Sequence, residues 1–169
     1  MDALQMDAKI TELIAVLGKQ NAILADLLAT AQKHNAVMLD NNATGIMAVI
    51  MQLEELSQDL RKQDQRRETL QQQLGEFLGL ERQAVLSDIL AVVKESQLAP
   101  GLETLIKEMK DNIDKLGEMN KLNHLLAARG LQFTSQILNI IMPSQSNTYQ
   151  GSGQFRNARK SDSILNKII

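Results

Sequence analysis

The chain has 169 residues with a formal net charge of −2, and while 44% of its residues are apolar only 2% are aromatic. Near-neutrality gives no general attraction to a phosphate backbone, and one Tyr, three Phe and no Trp make no stacking platform for single strands, so nucleic acid is excluded as a partner. The absence of Cys excludes a disulfide framework, a thiolate metal site and a Cys nucleophile.

The apolar set is mostly Leu, Ile, Ala, Val and Met, a composition for packing helices, and the length predicts one domain. The N-terminus MDALQMDAKI carries acidic residues ahead of a periodic helix, without the basic region and continuous apolar run of a secretory signal. No uninterrupted apolar run approaches the roughly 20 residues of a membrane span, so a cytoplasmic protein with no membrane insertion is expected.

From about Asp2 to Met38, Ile10, Leu17, Leu24, Ala31 and Met38 recur every seven residues, with Leu13 and Leu27 on the adjoining seam. This predicts a first long helix. Gln20, Asn21, His34 and Asn35 interrupt the neighbouring rows, and polar layers of this kind set register between helices. Asp40-Asn41-Asn42 supplies turn and capping residues, so the chain reverses there and a second helix starts near Asn42 or Ala43. Its rows are Ile46, Leu53, Leu60 and Leu74, and Val49, Leu56, Leu70 and Phe77. In its middle, Gln63 and Arg67 fall on these otherwise apolar rows. Arg61, Lys62, Arg66 and Arg67 read either as a docking patch for an acidic partner or as a solvated face laced with Asp59, Asp64 and Glu68, and the spacing favours the second.

Gly75 and Gly79 flank the end of the second helix, and AVLSDILAVVKES follows as a shorter amphipathic helix with Leu86, Ile89, Leu90 and Val93 on one side, placed to lid one end of a bundle. Pro100-Gly101 punctuates the start of the last long helix, whose first stripe is Leu102, Leu105, Ile106, Met109, Ile113 and Leu116. Beyond Leu116, the residues Met119, Leu122, Leu126, Phe133, Ile137, Ile140 and Ile141 share one face and predict the stripe that packs on the bundle. Leu131, Leu138 and Met142 form a second strip about 100° or more around the cylinder, more apolar surface than one groove buries. Pro143 ends the pattern. Residues 143–169 lack the apolar periodicity that would offset their ordering entropy and carry Arg156, Arg159, Lys160 and Lys167 against Asp162.

The expected fold is therefore all-α: an extended antiparallel bundle of three long helices plus one short helix in residues 1–142, and a flexible basic tail in residues 143–169. Chemistry finds no home in it. His34 and His124 have no i+4 His or Glu partner for a metal, and neither is followed by the Lys and Gly of a histidine phosphotransfer domain, which leaves that alternative remote. Gly151-Ser152-Gly153 lacks the Lys and the helix of a phosphate loop, and Glu54-Glu55 are splayed around a helix instead of converging on a pocket. No enzyme, cofactor or metal site is expected. The surplus strip implies protein binding, either of an amphipathic helix from another protein or of a second copy in a homodimeric coiled-coil scaffold.

A resemblance favours the first of these. The run N-x-x-N-x-x-L at Asn120, Asn123 and Leu126, then L-x-F ending at Phe133, LNII, and the T-Y before a Gly-rich stretch resemble the C-terminal region of the FlgN family of flagellar export chaperones, and helix order and length are similar over most of the chain. The resemblance implies a cytoplasmic chaperone of the bacterial type III flagellar export system. Its partners would be the C-terminal helical segments of hook-filament junction (hook-associated) proteins and the export apparatus. Leu131, Phe133, Ile137, Leu138, Ile141 and Met142 are then the expected client-contact residues. The departure from the family pattern is Gly130, which raises the expectation of a kink.

Overall fold

The computed structural model describes residues 3–80 and 84–141, and every regular element in them is helical: α1 (Ala3–Leu39), α2 (Ala43–Leu78), α3 (Leu86–Val92) and α4 (Ala99–Ile141). The chain divides into two compact units, Met1–His124 and Leu125–Ile169.

Within the first unit α1 and α2 form an antiparallel hairpin, since partners on α2 fall in number as those on α1 rise: Lys9 donates to Gln73, and Gln20 to Asp64. The reversal is built by two asparagines. Asn41 takes φ 52°, a left-handed conformation that Asn tolerates, and the Asn42 side chain caps α2 by accepting the Gly45 N–H at 2.9 Å. Gly45 fits closely there, since a Cβ would lie 2.9 Å from Asn42 Nδ2 and 3.1 Å from Val37 Cγ1 and would press on the capping side chain. At the other end α2 runs through Gly75 to Leu78 and stops on Gly79, whose φ of 70° makes it the left-handed C-cap.

The connection to α3 is tied back by Gln71, which donates to Ala84 C=O at 2.6 Å, and Asp88 accepts the Val85 N–H at the start of α3. Pro100 sits in the first turn of α4, where its missing N–H costs nothing. The core lies where the four helices meet: Ile10, Leu13 and Leu17 of α1, Leu70 and Leu74 of α2, Ile89 of α3 and Leu102 of α4 are buried together. α3 thus lids the bundle as expected, at the end remote from the Asn41-Asn42 turn.

Up to His124, α4 runs beside α1 in the same direction: Asn21 bonds Glu108 and Asn112, while Asn35 and Ala31 bond Asn123, so partner numbers rise together at separations of 87 to 92. Each of these layers is polar. The Asn123 amide donates to Ala31 C=O at 2.8 Å and accepts from Asn35 at 2.9 Å, and Asn123 is only 6% exposed. Polar side chains that satisfy one another in only one alignment hold a register that apolar rows alone would let slip.

By length and hydropathy α1 is the one described helix that also meets the criterion for a membrane span. Part of its apolar surface is used within the unit, where Ile10, Leu13, Leu17, Leu24 and Leu27 are nearly or wholly buried.

Candidate protein-docking surfaces

The heptad seam of α4 runs through Leu102, Leu105, Met109, Asn112, Leu116, Met119, Asn123 and Leu126, each buried or half-buried. Leu122, expected on this stripe, lies off it and is 45% exposed, because Asn123 takes the seam position to reach Ala31. Beyond Leu126 most of the expected stripe is exposed. Phe133 is 63% exposed and Ile140 71%, against 70% for Leu131 on the supposed second strip, so the two strips are not distinguished.

In the second unit, α4 continues to Ile141 with no charged residue from Gly130 onward. The hydroxyls that would make this surface polar are turned inward, since Thr134 donates to Gly130 C=O and Ser135 to Leu131 C=O, both at 2.9 Å. Outward are Leu131, Phe133, Ile137, Leu138 and Ile140, with Gln132, Gln136 and Asn139 between them. Of the six residues expected to contact a client, Leu131, Phe133, Ile137 and Leu138 are exposed and Ile141 is half-buried, while Met142 lies outside the described residues, as does the whole segment 143–169. α4 runs as one helix through Gly130, and nothing lies within 4 Å of the position its Cβ would occupy.

A second surface, not legible as a unit in the sequence, opens in the first unit between α2 and α4 over α1. It is a groove of about 600 Å³ lined by Leu24, Leu60, Leu86, Met109 and Ile113 together with Gln20, Ser57, Arg61, Asp64 and Arg67. Leu53, Leu56 and Leu60, expected on the buried rows of α2, are only half-buried along this part of the hairpin. Of the four cations read as a patch or a solvated face, Lys62 pairs with Asp59, Arg66 with Glu12, and Arg67 with Asp64 at 2.8 Å. Arg61 has no carboxylate partner among the described residues.

No group of three or more metal-ligating side chains occurs among the described residues. His34 is half-buried on α1 and His124 exposed on α4, and neither has a side-chain hydrogen bond there. The first unit is thus a helical hairpin with a third helix laid alongside and polar layers setting its register. The chain belongs to the FlgN family, the flagellar export chaperones: the family model described as FlgN protein matches residues 1–157. No curated protein and no solved structure matches it.

Proposed function

We propose that this chain is a cytoplasmic chaperone of the bacterial type III flagellar export system. It binds the C-terminal helical segments of hook-filament junction proteins through α4 after Gly130, keeps those segments from associating early and escorts them to the export apparatus. The observation that carries this reading is the uncharged run Gly130–Ile141, with Leu131, Phe133, Leu138 and Ile140 all more than half exposed. Each large apolar side chain left in water forgoes about 1.5 to 3 kcal/mol of burial, and a contiguous patch of them marks a surface that a partner covers. An amphipathic helix can lay its apolar face along such a surface. The contact residues are Leu131, Phe133, Ile137, Leu138 and Ile141, with Met142 adding a flexible, polarisable side chain suited to more than one client. The reading requires no reaction and no cofactor.

The test is Leu131→Asp with Leu138→Asp, read by pull-down of a junction-protein C-terminal segment beside thermal melting. Loss of the client at an unchanged melting temperature is expected, because both side chains are already in solvent. Client binding at the wild-type level would place the site elsewhere. A double variant that loses oligomer instead of client would make the same surface the seam of a homodimeric scaffold.

A further inference from the structure

The end of α4 is two-sided. At 100° per residue, Leu131, Phe133, Ile137, Leu138, Ile140 and Ile141 fall in one half of the cylinder, and Gln132, Ser135, Gln136 and Asn139 in the other. Thr134 lies among the first set with its hydroxyl donated to Gly130 C=O. Five of the six apolar residues are exposed, over about 15 Å of helix. No residue from Gly130 to Phe155 is charged, and α4 has no basic residue in its last turn, so the negative end of its dipole gets no cation from the helix itself.

A segment of this chain fits that surface, in the same second unit and past the family match at residues 1–157. Between Pro143 and Ser163 the only large apolar side chains are Tyr149 and Phe155, whereas Ile164, Leu165, Ile168 and Ile169 come together. Their spacing puts all four on one side of a helical segment, with Ser163, Asn166 and Lys167 on the other. Just before them stand Arg156, Arg159 and Lys160, the first charges after Arg129.

We propose that the apolar side of α4 beyond Gly130 is covered in the free chain by residues 164–169, folded onto it as an amphipathic turn, with the cations that precede them set against the end of the helix. Length permits it: the roughly 22 residues between Ile141 and Ile164 reach up to about 70 Å when extended, and a coil of that length spans about 25 Å. Tethering favours this occupant over a second copy, because such a linker holds the segment at an effective concentration on the order of millimolar. A contact too weak to form between separate molecules is then well occupied within one. So short a segment does not hold a helix alone, which makes the cover reversible. One consequence rests on the chaperone function proposed above: a client helix has to displace the cover, and its apparent affinity falls with the fraction of chains left open.

The experiment uses the full chain, which has no Cys of its own, with a nitroxide attached at Asn166→Cys on the polar side of the segment and with the Ile methyl groups isotope-labelled. Broadening of the Ile137, Ile140 and Ile141 methyl resonances that persists on dilution is expected, with Ile10 and Ile89 in the core of the first unit unaffected. Adding Ile164→Asp with Ile168→Asp removes the broadening, and the same pair in the unlabelled chain raises the affinity for a junction-protein C-terminal segment about threefold or more. Absence of broadening, or broadening strongest at Ile50 or Ile113 of the first unit, overturns the cover and leaves the chaperone function standing. Broadening that arises only between nitroxide-bearing and separate isotope-labelled chains puts a second copy on this face and overturns it as well. Full broadening beside an unchanged affinity refutes competition between cover and client. Full broadening with a junction-protein segment that binds neither chain retains the cover and removes the chaperone function.

Discussion

Replacing Asn123 with alanine removes the only described buried polar side chain of α4 and tests whether polar layers hold that helix in register. Asn123 is 6% exposed and makes two hydrogen bonds to α1, donating to Ala31 C=O at 2.8 Å and accepting from Asn35 at 2.9 Å. Each such bond contributes about 0.5 to 1.5 kcal/mol net, and a buried group left without its partner costs about 1 to 3. Ala31 is wholly buried, so its carbonyl loses a donor that water replaces poorly, whereas the half-buried Asn35 amide turns to solvent at little cost. The sum is about 2 kcal/mol. For a chain of this size that lowers the melting temperature by about 4 to 8 °C. Thermal melts of Asn123→Ala, Asn35→Ala and the double variant close a cycle, with about 0.5 to 1.5 kcal/mol of coupling expected between the two positions. A melting temperature within about 1 °C of wild type, or strict additivity in the cycle, would refute the claim that this layer holds α4 to α1.

The glycines give a contrasting pair. Gly130→Ala is expected to stabilise the chain by up to about 1 kcal/mol, since its site is helical and open, whereas Gly79→Ala is expected to destabilise it by about 1 kcal/mol, since φ there is 70°; denaturant midpoints decide both. Limited trypsin digestion is expected to cut at Arg156, Arg159 or Lys160 before any site in α1 or α2, as the Gly-, Ser-, Asn- and Gln-rich composition of residues 144–163 predicts. Mass spectrometry of the first fragments reads this directly. Early cleavage within Ala43–Leu78 instead would contradict it.

Only the first unit brings side chains from all four helices into one core, and that core gathers where the hairpin's open end meets α3 and the start of α4. Toward the Asn41-Asn42 turn apolar burial thins, and specific polar pairs take over the alignment of α4 with α1. Apolar packing supplies most of the stability in such a fold, and the polar layers supply its register. A chaperone that must leave apolar helix surface open for a client gains from that division, because the open surface is then not needed to keep the helices in place.

The local elements were legible in the chain itself. The seven-residue recurrence of Ile10, Leu17, Leu24 and Ala31 set the buried face of α1, Asn42 marked the cap of α2, and Gly79 marked its end, because periodicity, capping and left-handed φ depend on neighbours in sequence. The apolar surplus after Gly130 was legible for the same reason. Which apolar residues are left unburied was decided only by tertiary structure. Phe133, Ile137 and Ile140 continue the heptad seam of α4 without a break, and nothing in their own sequence marks them as different from Leu102 or Leu116. Within the first unit the alignment of α4 with α1 is set by Asn21, Asn35 and Asn123, which are far apart in sequence and meet only in the folded chain. The groove arises in the same way, from Gln20, Asp64 and Arg61 being brought level by the hairpin while α4 stands against α1. Periodicity states that a face is apolar; the register between helices states what, if anything, lies opposite it.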